Sequence, residues 1–135
     1  MSYFQTIKRI VIDTNILFMA WYNPEGKCSK VLNMANKGKI EIYAPDSVKV
    51  EVFRILGKYL SVEEVEDFLS DFEINWTERA IYERFLDKVK VKHKPDKPIE
   101  ALSLALECGV LSADKHFNIT KNKIDIDKLI GELSD

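Results

Sequence analysis

The sequence predicts an α/β protein whose mostly parallel sheet is covered by helices on both faces. Three observations carry that expectation. Segments such as Ile10-Val11-Ile12 and Val110-Leu111 are apolar without alternation, as in strands buried on both sides. Other stretches place apolar residues three and four apart, the mark of helices with one buried face. The two kinds alternate along the chain, which implies parallel strands joined through helical crossovers.

Ile7–Ile12 is the first predicted strand. A helix follows over Thr14–Tyr22, broken by Asn23-Pro24-Glu25-Gly26. Cys28–Lys37 reads as helical, with Val31, Leu32 and Ala35 on one face and Gly38 as its stop. Ile40–Ala44 is a short strand. Pro45-Asp46-Ser47 opens a helix to about Leu60, with Val48, Val52, Ile55 and Tyr59 as its apolar stripe. On that helix Glu51 sits at the edge of the stripe, while Arg54 and Lys58 point further round toward solvent. Ser61-Val62-Glu63-Glu64 is a capping box, in which the Ser and Glu side chains each take a free backbone donor. It opens a helix carrying Val65, Phe68, Leu69 and Phe72. Glu73–Asn75 is read as a strand and Thr77–Lys92 as a long helix, with Ile81, Phe85 and Val89 in line. Lys97–Glu107 is helical and ended by Gly109. Val110–Ala113 and Ile124–Ile126 are the last strands, and Asp127–Leu133 a final helix.

The length of 135 residues fits a single domain spanning 1–135, and 46% hydrophobic residues suffice for an ordinary core. Cys28 and Cys108 are isolated from each other and from any His cluster, which argues against zinc and fits a reducing cytoplasm. The longest unbroken apolar run near the start, Ile16–Tyr22, is far shorter than the about 20 residues of a membrane span. A soluble, cytoplasmic protein is expected. The net charge of −2 is neutral evidence about partners. Its distribution says more: Lys88, Lys90, Lys92, His93, Lys94 and Lys97 cluster around a single acid, Asp96. No Gly-rich phosphate loop is present. A phosphoryl-accepting receiver domain fits poorly, lacking a Lys and Ser/Thr pair at the expected strand ends.

Ligands of open parallel sheets bind beyond the carboxyl ends of the strands. Asp13 directly follows the first strand and Asp114 ends the strand Val110–Ala113, so both fall on that edge. Each acid also has a plain structural reading. Asp13 suits the N-cap of the next helix, and Asp96, before a helix with Pro98 in its first turn, suits another. Glu51 suits a salt bridge at the rim of the core.

The ordered set resembles the PIN-domain family. Ile10-Val-Ile-Asp-Thr-Asn-Ile-Leu-Phe18 looks like its opening motif, and Pro45-Asp-Ser-Val-Lys-Val-Glu-Val-Phe-Arg54 like the second, with its helical Glu. Pro95–Gly109 followed by Val110–Phe117 resembles the third and fourth, whose acids Asp96 and Asp114 stand 18 residues apart. The resemblance implies a three-layer α/β/α sandwich in which Asp13, Glu51, Asp96 and Asp114 meet around Mg²⁺ or Mn²⁺ and hydrolyse RNA. Several carboxylates sharing one pocket stay ionised only with a cation among them, and an all-oxygen set suits hard ions. Asp13, Asp96 and Asp114 are then ligands, direct or through water, and Glu51 orients the attacking water or completes the set. Thr14, Asn15 and Ser112 are candidate donors that hold those carboxylates. Some members carry a further acid where this chain has Asn118, which leaves a second metal open.

Lys90, Lys92 and Lys94 lead into Asp96 and Lys97 follows it, and Lys115 and His116 follow Asp114, so these residues are candidates for phosphate contact. Their plain reading is a solvated helix end. Phe18, Trp21 and Tyr22 are read as core or dimer contact rather than base-stacking groups. The resemblance further implies a homodimer and, for the toxin of a toxin–antitoxin module, a small antitoxin partner. The alternative is a catalytically inactive PIN-like module that binds RNA or protein.

Overall fold

A computed structural model describes residues 7–113, 115–120 and 122–134. Within them, strands β1 (Lys8–Ile12), β2 (Ile40–Pro45), β3 (Ile74–Thr77), β4 (Gly109–Leu111) and β5 (Lys123–Ile124) form one parallel sheet in the order β3-β2-β1-β4-β5. Ile10 faces Ile42 in register, and Ile42 faces Ile74. Ile10, Val11 and Ile12 are fully buried, so the uninterrupted apolar run does report a strand covered on both faces.

Helices α1 (Thr14–Tyr22) and α2 (Lys27–Asn36) connect β1 to β2, and α3 (Asp46–Leu56) and α4 (Val62–Ser70) connect β2 to β3. The chain then crosses back through α5 (Arg79–Tyr82) and α6 (Lys97–Leu106) to reach β4 on the far side of β1, and α7 (Ile126–Leu133) follows β5. Right-handed crossovers put α1 to α4 on one face and α5 and α6 on the other. The packing agrees, for α1 contacts α2 and α3 while α6 lies on β1, β2 and β4. The result is the three-layer α/β/α arrangement expected. Strand order reverses at β1, where the successive strands β3, β2 and β1 give way to β4. Ligands of such sheets bind beyond the carboxyl end of the strand at which the order reverses, here β1.

Local chemistry explains most boundaries. Gly38, at φ 76°, closes α2 with its amide on the Ala35 carbonyl. The Ser61–Glu64 capping box forms in both directions. Two expectations fail. Gly109 does not end α6; Glu107 does, in the left-handed conformation at φ 52°. Gly109 instead lies in β4, where a Cβ would stand 2.7 Å from the Asn122 carbonyl oxygen, so its bareness lets β5 approach.

The long helix over Thr77–Lys92 also fails. Only Arg79–Tyr82 is α-helical, Glu83–Lys88 is a 3₁₀ stretch, and Val89 is extended. Tyr82 rather than Ile81 is the buried residue, near enough to Ser47 at the start of α3 for that hydroxyl to act on its phenol. Residues 89–93 run as an extended strap, with Val91 buried between the exposed Lys90 and Lys92. A tertiary bond wins over helical spacing here. The buried carboxylate of Glu100 on α6 accepts from the Lys90 and Val91 amides at 2.7 and 2.9 Å, through a single oxygen.

Candidate active site

Asp13 stands at the switch point, where β1 hands over to α1. Its Oδ1 accepts the Ile16 amide at 3.1 Å, as an N-cap should. Its Oδ2 accepts the Ser112 hydroxyl, which arrives from the end of β4. Asp13 is only 3% exposed, so these donors and the positive end of α1 offset the cost of a buried carboxylate. The N-cap expected of Asp13 is made.

Asp96 behaves differently from the cap expected of it. It lies in a 3₁₀ turn, Lys94–Asp96, with helical backbone angles of φ −83° and ψ −17° and no side-chain bond to the amides of α6. A cap needs extended backbone angles, and the turn before Pro98 denies them. Its Oδ2 instead lies 3.3 Å from His93 Nδ1.

Glu51 projects from α3 with its side chain 30% exposed. Arg54 does not turn away to solvent as the helical wheel suggested. It reaches back to grip both carboxylate oxygens, at 2.5 and 3.2 Å. That hydrogen bond is the main cause holding the Glu51 carboxyl below its usual range; partial burial opposes it, and the charges of Arg54, His93 and Lys58 assist.

These three acids line one cleft of about 220 Å³, with Asn15, Ser47 and His93 among its other walls. Thr14 lines it as well, while Ser112 acts through Asp13. Asp114 and the side chains of Lys115 and His116 lie outside the described residues. Among the described residues, no group of three or more His, Cys, Asp or Glu side chains is arranged to hold a metal ion. The oxygen-only chemistry of Asp13 and Asp96 still fits a magnesium-like cation. Such ions commonly keep several waters and use one or two protein carboxylates plus substrate phosphates. Glu51, engaged by Arg54, fits the role of ligand less well than the role of a group that orients water.

Lys90, Lys92 and Lys94 are exposed and Lys97 half-buried, all on or beside the strap that leads to Asp96. Solvation of a helix C-terminus does not describe Lys90 and Lys92, since residues 89–93 are not helical; Lys94 opens a 3₁₀ turn and Lys97 opens α6. Sequence reasoning missed the strap's anchor. Glu100 looked like an ordinary helix acid, and its only sequence signal is a charge within the apolar run Ile99-Glu-Ala-Leu-Ser-Leu-Ala-Leu106. Ser47 was missed too, and nothing in the sequence marks it apart from its place before the Glu51 turn.

This fold carries three acids around one cleft at the carboxyl end of β1. A model of the PIN domain matches residues 11–128, and the chain belongs to that family. A sequence comparison with curated proteins finds no match. Among solved structures, VapBC2 from Rickettsia felis bound to a DNA fragment from its promoter is 16% identical, at a TM-score of 0.63 over 86% of this chain and 96% of that one. A toxin–antitoxin complex from Klebsiella pneumoniae is also 16% identical, with a TM-score of 0.63 over 87% of this chain and 97% of the other. At that identity the likeness is one of fold.

Proposed function

We propose that the chain is a divalent-metal-dependent endoribonuclease, the toxin of a toxin–antitoxin pair, hydrolysing RNA phosphodiester bonds in the cytoplasm. The observation that carries this reading is the meeting of Asp13, Glu51 and Asp96 around one cleft at the carboxyl end of β1. In this reading Asp13 and Asp96 hold Mg²⁺ or Mn²⁺, with Asp114 as the further acid. When bound, the ion neutralises charge growing on the phosphate and makes a nearby water a better nucleophile. Ser112 fixes Asp13 in the orientation the ion needs. Glu51 orients the attacking water, which requires Arg54 to yield one of its two bonds. Lys90, Lys92, Lys94 and Lys97 hold flanking phosphates, with Lys115 and His116 as candidates beside Asp114. A small antitoxin and a homodimer are the partners this reading carries, the first supported by the complexes that share the fold.

A second reading draws on the Arg54 grip. With Glu51 neutralised by its own helix, the domain binds RNA or protein without cutting it. Cleavage of a mixed RNA pool separates the two. The nuclease reading expects Mg²⁺- or Mn²⁺-dependent cutting that Asp13→Asn, Asp96→Asn and Asp114→Asn each abolish while far-UV circular dichroism stays unchanged. Cutting that persists in chelator, or in these variants, removes it.

A further inference from the structure

The helix that Asp96 precedes does not fix its carboxylate. The side chain makes no bond to the α6 amides, and the backbone sits in a three-residue 3₁₀ turn. His93 meets Asp96 twice. The His93 carbonyl accepts the Asp96 amide at 3.0 Å, and the ring Nδ1 lies 3.3 Å from Asp96 Oδ2. Both residues line the cleft.

His93 ends the strap, and Glu100 fixes where the strap lies. One carboxylate oxygen takes two consecutive amides, Lys90 at 2.7 Å and Val91 at 2.9 Å. From Val91 to His93 is two residues, at most about 7 Å of extended chain. Little slack remains between anchor and ring. Glu100 itself lies four residues beyond Asp96, about one turn along α6. The chain from residue 90 to residue 100 is therefore a closed loop, pinned at Glu100, that brings His93 and Asp96 together. Of residues 89–93 Val91 alone is buried, so core packing gives little reason to place a buried acid beneath them. Glu100 is only 4% exposed, and the two amide donors offset the cost of burying it. On the other wall Ser112 holds Asp13 in a comparable way. Partners that orient a ligating carboxylate tune its affinity for metal.

We infer that His93 and Glu100 are positioning residues for Asp96: the ring orients the carboxylate through Nδ1, and the buried acid holds the ring. The inference rests on Asp96 being a cation ligand, but the tether itself can be read without any ion.

The first measurement is the tautomer of His93 in the metal-free protein. Nitrogen NMR reads it well above the ordinary imidazole value of about 6.5, with His116→Asn telling the two histidines apart. A proton on Nδ1 is expected in wild type, with a shift toward Nε2 in Asp96→Ala and in Glu100→Ala. A wild-type proton on Nε2, or an Nδ1 proton that survives Glu100→Ala, overturns the proposal.

The second measurement is Mn²⁺ affinity, read from the paramagnetic resonance of the free ion. His93→Ala and Glu100→Ala are each expected to weaken binding about 10- to 100-fold. His93→Asn, whose amide can donate to the same oxygen, and Glu100→Gln, which keeps an acceptor for the strap, are expected to bind close to wild type. Unchanged affinity in His93→Ala, with the ion still lost from Asp96→Asn, overturns the proposal and keeps the metal site. Equal loss in His93→Ala and His93→Asn also overturns it, since the ring would then act on the ion directly. Full Mn²⁺ uptake by Asp96→Asn, beside an Nδ1 proton that depends on Glu100, removes Asp96 as a ligand and leaves the tether standing.

Discussion

The two walls of the cleft are built on different terms. On the β1 side Asp13 is buried and held from two directions, by the Ile16 amide and by the Ser112 hydroxyl from the neighbouring strand end. On the α3 side Glu51 is partly exposed, and the partner recorded for it is Arg54, one helical turn along. The first carboxylate is placed by the fold, because moving it means moving β1, β4 or the start of α1. The second is placed by an ion pair that solvent and ligands compete for, and such pairs are worth little in stability. Preorganisation therefore sits at Asp13, and adaptability at Glu51. Under the proposed function the former suits a carboxylate that receives a cation and the latter one that turns toward a substrate water.

Substitutions can break that contrast, beginning with the largest expected effect. Asp13→Asn should reduce RNA cleavage to the detection limit, read by gel. Asp13→Ala should in addition cost about 1 kcal/mol of stability in urea unfolding, for the lost N-cap. Glu100→Ala leaves the Lys90 and Val91 amides without their acceptor and should destabilise by about 2–4 kcal/mol. Glu100→Gln keeps an acceptor and should cost less. Hydrogen exchange should locate the loosening in residues 89–93. Ser112→Ala should lower activity or metal affinity by roughly 10- to 100-fold, since it frees Asp13 to turn.

Arg54→Ala should do the least to stability, because the guanidinium is exposed and such pairs contribute little. Its signature is in pH. The folded Glu51 carboxyl is held low by the Arg54 bond, so its contribution to stability is complete above the unfolded value of about 4.3. That contribution is lost as pH falls through the lower folded value. Arg54→Ala should raise the Glu51 titration midpoint seen by NMR and shrink this acid-side loss; a midpoint that stays put means the grip seen here is not the cause.

The contrast also explains which features could be read from residues alone. β1, Asp13 and α1 were legible because an apolar run, an acid and a helix start lie within a few neighbouring positions. The ordered family motifs brought in Glu51 and Asp96. Contacts that depend on tertiary placement were hidden. The strap defeated the helical reading because Ile81, Phe85 and Val89 keep four-residue spacing while Val89-Lys-Val-Lys92 keeps two-residue alternation. What decides between them is Glu100, which lies nine and ten positions away from the amides it binds. Asp96 matched the composition of a cap, yet the 3₁₀ turn before it removes the extended backbone that a cap requires. Arg54 was turned outward by the wheel because the wheel tracks Cβ directions, whereas a long guanidinium side chain can fold back along its helix.

Binding of Mn²⁺ by wild type, Asp13→Asn and Asp96→Asn, followed through the paramagnetic resonance signal of the free ion, addresses the central claim without any substrate. One ion bound by the wild-type chain, and lost from either variant with folding intact, is the result predicted. Equal uptake by all three proteins would mean that the cleft between Asp13 and Asp96 is not the cation site.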